Sequence, residues 1–217
     1  MRPLAAVAVL LLLAGCGHPV QRPPVPSSSA PSRHINPDNI RRVRRDLPAG
    51  YEVAPVVDVT APSGIWGLGG VGLATPPRCA PLADPDGGHA QRVQGISGSG
   101  AGGTVYAVVV MGPVALDPSL PAQCHQWGIT GRRASARVHL IDAPHIDGAD
   151  TVGMTAAIFT SVEGGNEIGS QASTFTAYLG ECYAFTTVVS DPGSPNAALT
   201  PKFAADLLVK TVSAVRG

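Results

Sequence analysis

Alternation of apolar and polar side chains in the second half of the chain is the feature that most limits its possible folds. Residues 134, 136, 138 and 140 are apolar and the residues between them are polar, and residues 152–158 follow a similar pattern. Side chains of a β-strand point alternately to opposite faces, so a period of two predicts half-buried strands. Further strands are expected over 170–179 and 182–190, with Gly-rich or Asp-rich turns between them. The pattern predicts an antiparallel sheet.

One strand of this sheet is expected to lie at its centre. Residues 105–111 are apolar at every position. A strand without alternation is typical of a position covered on both faces, since neither parity of side chains then meets water. A further strand is predicted over 51–59.

Two helices are predicted to pack against the sheet. Asn36 and Pro37 form an N-cap followed by proline at the first helical position, which predicts a helix over 37–47. Thr200 and Pro201 begin a C-terminal helix whose apolar stripe contains Ala204, Leu208, Val212 and Val215. Shorter helices are expected over 76–84 and 117–127. Grouped strands with a few helices on one side indicate a single α+β domain.

The N-terminus reads as a lipoprotein signal peptide over residues 1–15. Arg2 precedes the apolar run 4–13, which is too short to span a membrane, and Leu-Ala-Gly comes directly before Cys16. This arrangement resembles a lipobox, which predicts cleavage before Cys16 and acylation of its thiol. Two acyl chains give stable anchoring, so the membrane is the expected partner and its extracytoplasmic face the expected location. The alternative is an ordinary cleaved signal with a chance cysteine.

Residues 16–34 form a Pro/Ser-rich stretch with almost no apolar clustering, and they predict a flexible linker ahead of one domain over 35–217. The whole chain has 15 basic and 15 acidic residues. Without Arg2 the formal charge is near minus one, so no global field would recruit nucleic acid, and no nucleic-acid partner is expected.

Three cysteines remain after Cys16, and the extracytoplasmic compartment permits disulfides. Cys79, Cys124 and Cys182 predict one bridge and one spare thiol. The residues alone leave all three pairings open. The spare thiol is expected to be buried and inert.

The sequence around the candidate nucleotide-binding and catalytic motifs does not fit either function. Two glycine-rich stretches, 64–72 and 95–103, each contain G-x-G-x-x-G, but neither opens a helix whose N-terminus could face a pyrophosphate. They are expected to form turns or bulged strands. Ser97 and Ser99 lie one letter from a nucleophile elbow without its strand–elbow–helix order. No catalytic residue and no cofactor is therefore predicted.

The segment 139–150 is the best candidate for a metal site, because His139, Asp142, His145, Asp147 and Asp150 crowd into it. Their spacing matches neither a calcium loop nor a zinc-binding helix. A polar turn between two strands is the favoured interpretation, and no metal is predicted.

Four arginines on the first predicted helix form the densest charge run: Arg41, Arg42, Arg44 and Arg45. Phospholipid headgroups are one candidate partner, since each basic residue near an anionic surface adds about 1 kcal/mol. A solvated helix face is the simpler interpretation. Trp66 and Trp127 could line a ligand pocket, although burial in the core is more usual.

The order of these features resembles that of mycobacterial lipoproteins related to the extracellular sensor domain of PknH-type serine/threonine kinases. The residues that carry the resemblance are Pro76-Pro77-Arg78-Cys79, the strand 105–111, Cys124 near Trp127, and Glu181-Cys182-Tyr183-Ala184-Phe185. The resemblance implies a curved antiparallel sheet with helices on one side, forming a cleft for a ligand. It favours a Cys124–Cys182 disulfide, with Cys79–Cys124 as the alternative. The chain differs from the kinases in lacking a kinase domain and enough cysteines for two bridges.

These features together predict a membrane-anchored lipoprotein with a non-catalytic, sensor-like binding domain. Its partner would be a small envelope ligand, such as a lipid or glycan, or another envelope protein. The alternative is a cell-envelope hydrolase with an active site that the sequence does not reveal.

Overall fold

A computed structural model of the protein describes residues 34–68, 72–90 and 92–217. Cys16, the expected signal peptide and the expected linker up to residue 33 lie outside these residues. Nine strands are found in the described part: β1 (Glu52–Val56), β2 (Leu73–Thr75), β3 (Arg92–Gly100), β4 (Gly103–Val114), β5 (Gln126–Thr130), β6 (Ala134–Ile141), β7 (Asp150–Ser161), β8 (Glu167–Tyr178) and β9 (Gly180–Val189).

All nine strands belong to one antiparallel sheet, in the order β1-β3-β4-β9-β8-β7-β6-β5-β2. The strand expected at the centre is β4, which is covered on both faces as predicted but is third in the order, and β8 holds the middle position. Val105, Ala107 and Val109 point into the core on one side of the sheet, and Val108 and Val110 point into the core on the other. The predicted α+β fold class is confirmed.

The two long helices lie on the same side of the sheet, which is called the helix side here. A 3₁₀ helix spans Pro37–Asp46, and α4 spans Pro201–Val215 after one-turn helices α1 (Pro62–Ile65), α2 (Ala80–Ala83) and α3 (Leu120–Gln123). Both long helices start as predicted. The side chain of Asn36 accepts a hydrogen bond from Asp38 N, and that of Thr200 accepts one from Phe203 N. None of the described helices combines the length and apolar character that a membrane crossing requires.

The helix-side core is built from apolar side chains of these two helices and of strands β3, β4, β8 and β9. Ile40 and Val43 of the 3₁₀ helix are buried, and the predicted stripe of α4 is buried along its whole length. The free energy of burying this apolar surface holds both helices on the sheet.

The opposite side, called the loop side, has a core covered by the one-turn helices and their loops. Trp66, Leu82, Cys79, Cys124 and Trp127 are buried in it. The helix expected over 117–127 shrinks to α3, since Trp127 and Ile129 instead alternate with polar residues in β5. Tertiary burial overrides local propensity in this segment.

The disulfide joins Cys79 to Cys124, with a Cα–Cα distance of 5.7 Å. The pairing that the resemblance favoured, Cys124 with Cys182, is therefore corrected in favour of the alternative. The physical reason is that Cys124 is buried in the loop-side core while Cys182 is buried in the helix-side core. The sheet separates the two thiols. Cys182 is the one free cysteine among the described residues, and it is buried as expected.

The second glycine-rich stretch gives room to an aromatic ring. The ring of Tyr51 lies against Gly98 and Gly100, where an added Cβ would come within 3.4 Å and 2.5 Å of ring atoms. The Tyr51 hydroxyl donates to Ala101 O at 2.6 Å. Ala101 and Gly102 form the β3–β4 turn, and Gly102 and the first residue of β4, Gly103, have positive φ. The predicted turn is found in this stretch, and the β3–β4 pairing beside it is regular, without a bulge.

Candidate functional site

Part of the helix side of the sheet is not covered by any helix in the described part of the chain. The 3₁₀ helix packs on β3 and β4, and α4 packs on β4, β8 and β9. The helix-side residues of β5, β6, β7 and the first half of β8 are therefore left without a helix above them. This uncovered area is called the open face, and its residues are Gln126, Gly128, Thr130, Ser135, Arg137, His139, Thr155, Ala157, Phe159, Gly169, Gln171 and Ser173.

Phe159 is the large apolar side chain within the open face, and the exposed Leu73 of β2 adjoins it beside Thr130. Its ring is half-buried, and the guanidinium carbon of Arg137 lies 5.3 Å from the ring centroid. This is the geometry of a cation–π contact, which holds the arginine over the aromatic face. Gly169 lies opposite Phe159 in the β7–β8 pairing, so no side chain covers the ring from that strand.

A shallow cleft of about 380 Å³ begins at the Phe159 ring. The rest of its lining comes from β7, β8 and the residues after β9: Ala157, Ile158, Gly169, Ser170, Gln171, Ser190 and Pro192. The hydroxyl of Ser190 accepts a hydrogen bond from Gln171 N at 3.0 Å, which fixes its position. The cleft thus combines an aromatic ring with amide and hydroxyl groups and has no acidic residue among its lining residues. Such a lining suits a small, neutral, polar ligand.

The two serines considered for catalysis are ordinary strand residues of β3. Ser97 pairs with Tyr106 of β4, and the Ser99 hydroxyl lies 3.3 Å from the hydroxyl of Thr104. Within residues 34–68, 72–90 and 92–217, no histidine or carboxylate forms a hydrogen bond to either serine.

The candidate metal segment is split between a strand and a turn. His139 lies in β6, Asp150 begins β7, and His145 and Asp147 are exposed with their side chains 3.2 Å apart. Gly148, with φ of 65°, turns the chain. Among the described residues, no group of three or more His, Cys, Asp or Glu is placed to hold a metal ion.

Both tryptophans are core residues on the loop side. Trp66 donates from Nε1 to the hydroxyl of Thr174 at 3.3 Å, and Thr174 lies 2.9 Å from the hydroxyl of Thr187. The indole nitrogen of Trp127 is buried, with no hydrogen-bond partner among the described residues.

Sequence reasoning missed a polar cluster at the edge of the loop-side core. The Tyr183 hydroxyl lies 2.5 Å from Thr60 O and 3.0 Å from Asp86 Oδ1. Burial raises the pKa of Tyr183, and the Asp86 charge raises it further. Burial and a hydrogen bond with Asp86 raise the pKa of Asp84. In sequence, Asp84-Pro85-Asp86-Gly87 has only the composition of a turn.

The raised pKa of Asp84 has a defined effect on stability. A carboxyl whose pKa is higher in the folded than in the unfolded chain binds its proton more tightly when folded. Its contribution to stability is present at acidic pH and is lost as the pH rises through the folded pKa. This cluster fastens the loop after α2 to β9, and we assign it a structural role.

Burial also raises the pKa of the Cys182 thiol, to about 11, with a smaller contribution from Glu181. The thiol is therefore protonated at neutral pH. Since the thiolate is the reactive form, Cys182 is not a candidate nucleophile.

The four arginines of the charge run are all exposed on the 3₁₀ helix. Arg45 donates from Nε to the backbone oxygen of Arg42 at 3.0 Å, within the helix. The structure places this run on the surface, as the sequence predicts.

Comparison with known proteins gives a family and a fold. The family described as "Domain of unknown function (DUF5642)" matches residues 36–216. No curated protein matches the chain. An X-ray structure of an uncharacterised protein from Mycobacterium smegmatis, described as the Rv0999 ortholog, is similar with a TM-score of 0.62 at 20% identity, over 85% of this chain and 98% of that one. At this identity the similarity shows the fold alone. Neither match supports the resemblance to the kinase sensor domain.

Proposed function

We propose that this chain, which belongs to the DUF5642 family of unknown function, is an extracytoplasmic lipoprotein with a non-catalytic binding domain. The acylated residue would be Cys16. The ligand would be a small polar molecule of the cell envelope, with a saccharide as the best-fitting class. The observation that carries the binding proposal is the Phe159 ring, half-exposed on an otherwise polar sheet face and braced by Arg137.

The chemistry of the cleft supports a saccharide. A sugar ring has an apolar face of C–H groups, which packs on an aromatic ring, and hydroxyls at its edge that exchange hydrogen bonds. Phe159 offers the ring, while Gln171 and Ser190 offer an amide and a hydroxyl. We further propose that the domain is related to the PknH-type sensor domain, in which ligand binding would be converted into a signal.

The anchoring proposal predicts that Cys16→Ala releases the protein from membranes. In a bacterial host that acylates lipoproteins, the wild-type chain should enter the detergent phase of a phase separation, and the variant should enter the aqueous phase. The reason is that acyl chains contribute about 0.8 kcal/mol per buried CH₂ group, and alanine cannot carry them. Mass spectrometry of the N-terminal peptide gives the acylation state.

Cys182→Ala is the matched control, because it also removes one thiol but from a buried position. It should partition like the wild type. Recovery of Cys16→Ala in the detergent phase, together with a wild-type N-terminal peptide that carries no acyl chain, would refute lipid anchoring.

The binding proposal predicts that Phe159→Ala weakens saccharide binding about tenfold, which is the value of one aromatic contact. The probe is a set of soluble oligosaccharides released from bacterial cell wall, titrated into residues 34–217 by calorimetry. These residues contain both cores and the disulfide. Phe159→Tyr keeps the ring and should bind like the wild type.

Val162→Ala provides a second control, since it shortens an exposed side chain just beyond the end of β7. It should leave the affinity unchanged. Equal affinity of the wild-type and Phe159→Ala domains, or the absence of binding to any oligosaccharide of the set, would exclude the open face as a saccharide site.

A further inference from the structure

We propose that the exposed surface of the 3₁₀ helix docks the domain onto the anionic phospholipid surface of a bilayer. This surface is called the arginine face, and it consists of Arg41, Arg42, Arg44 and Arg45. The occupant we assign to it is the headgroup layer of the membrane itself. The inference concerns a different surface from the open face and does not depend on the saccharide proposal.

The geometry of the helix points all four guanidinium groups outward. A 3₁₀ helix has three residues per turn, so side chains three apart lie above one another. Ile40 and Val43 form the buried column. Arg41 and Arg44 therefore form one exposed column, and Arg42 and Arg45 form the other.

The nearby carboxylates are already engaged with other cations. Asp38 of the same helix is 3.0 Å from Arg92, and Asp46 is 3.1 Å from Lys210 of α4. Within the described part of the chain, none of the four arginines has an ion-pair partner. Their charges remain available to an external anion.

The charge of the domain is strongly asymmetric. The 3₁₀ helix and α4 together contain six basic and three acidic residues, a net charge of +3. The other described residues contain six basic and twelve acidic residues, a net charge of −6. An anionic surface therefore attracts the helix layer and repels the rest of the domain, which sets one orientation.

The arginine face also has a cleft that fits a phosphate headgroup. Between the 3₁₀ helix and α4 lies a depression of about 510 Å³, lined by Arg42, Arg45, Ser213, the exposed Val209 and the Asp46–Lys210 ion pair, among others. Guanidinium groups bind phosphate oxygens through two parallel hydrogen bonds. Val209, 41% exposed, offers an apolar contact to the glycerol and upper acyl region.

The first described residues lie beside α4, which favours this docking. The described chain begins at His34, three residues before the 3₁₀ helix. Asn36 N donates a hydrogen bond to Val215 O of α4 at 2.8 Å. Cys16 lies 18 residues before His34. A fully extended chain of this length reaches at most about 65 Å. If the proposed lipid anchor holds, even weak attraction would keep the arginine face on the bilayer, because the local concentration is high.

The test uses residues 34–217 and sedimentation with lipid vesicles, so it is independent of acylation. Vesicles of phosphatidylcholine are compared with vesicles containing about one third phosphatidylglycerol. The wild-type domain should bind only the anionic vesicles and should dissociate as salt is added. Each arginine contributes about fivefold to the partition coefficient, so Arg41→Gln/Arg44→Gln and Arg42→Gln/Arg45→Gln should each lower it about 30-fold.

Arg132→Gln/Arg133→Gln is the matched control. It removes the same charge from exposed positions between β5 and β6, and it should change the partition coefficient less than twofold. An equal loss of vesicle binding in this control would show that net charge alone accounts for the effect. That result would overturn the proposal. So would equal binding to phosphatidylcholine vesicles.

A competition arm separates the bilayer from free phosphate. If only Arg42→Gln/Arg45→Gln weakens binding, and inorganic phosphate at constant ionic strength competes with vesicles, the cleft is a phosphate site and bilayer docking is wrong. Failure of the Cys16 experiment leaves the vesicle result unaffected. The two proposals can therefore fail separately.

Discussion

Replacing Cys79 and Cys124 together by alanine is expected to lower the free energy of unfolding by about 4 kcal/mol. The bridge closes a loop with a sequence separation of 45 residues, which restricts the unfolded chain. It also ties the turn before α2 to α3, the two segments that cover the loop-side core. Urea unfolding, followed by far-ultraviolet circular dichroism, measures the change. We expect a lower midpoint in the double variant.

Cys182→Ala is the control, since it removes a buried sulfur but no crosslink. Its expected cost is about 1 kcal/mol, the usual value for a small buried substitution. Peptide mapping of the oxidised protein should yield one crosslinked pair containing Cys79 and Cys124. A peptide that joins Cys124 to Cys182 would contradict the pairing described above.

The disulfide shows where sequence reasoning reaches its limit. Alternation reveals which side of a sheet a residue faces only if one side is exposed. Residues 182–188 are all buried, so β9 shows no period of two. The sequence therefore could not tell that Cys182 points to the helix side while Tyr183 points to the loop side. The resemblance supplied a pairing in place of this missing information.

The two long helices differ in how much of their structure the sequence predicts. The stripe and cap of α4 predict its start and its buried face, because a long amphipathic helix repeats its signal over four turns. Ile40 and Val43, three residues apart, fit both an α-helix and a 3₁₀ helix, so their spacing does not predict the tighter form.

The open face could not be predicted because its defining features are not local. Phe159 is an outward-facing aromatic of β7, which in sequence is unremarkable. Only the register places Gly169 opposite it, and only the packing of α4 on β4, β8 and β9 leaves its strand uncovered. The arginine run was visible in sequence, but its columns and the engaged carboxylates beside it were not.

Leu208→Ala is expected to lower the free energy of unfolding by about 3 kcal/mol, because it removes a large side chain from a close-packed core. Leu208 is 0% exposed in the middle of α4, within the helix-side core. Partial relaxation around the missing atoms leaves a cavity, which adds to the lost transfer free energy. Thermal and urea unfolding both measure the loss.

The neighbouring variant Val209→Ala tests whether α4 packs on the sheet through the face that contains Leu208. Val209 is 41% exposed, so its truncation should cost less than about 0.5 kcal/mol. Comparable losses for the two variants would mean that α4 is not seated on the sheet through Leu208, and the arginine face would then lose the partner helix that forms its cleft. A large difference between them supports both the core and the surface derived from it.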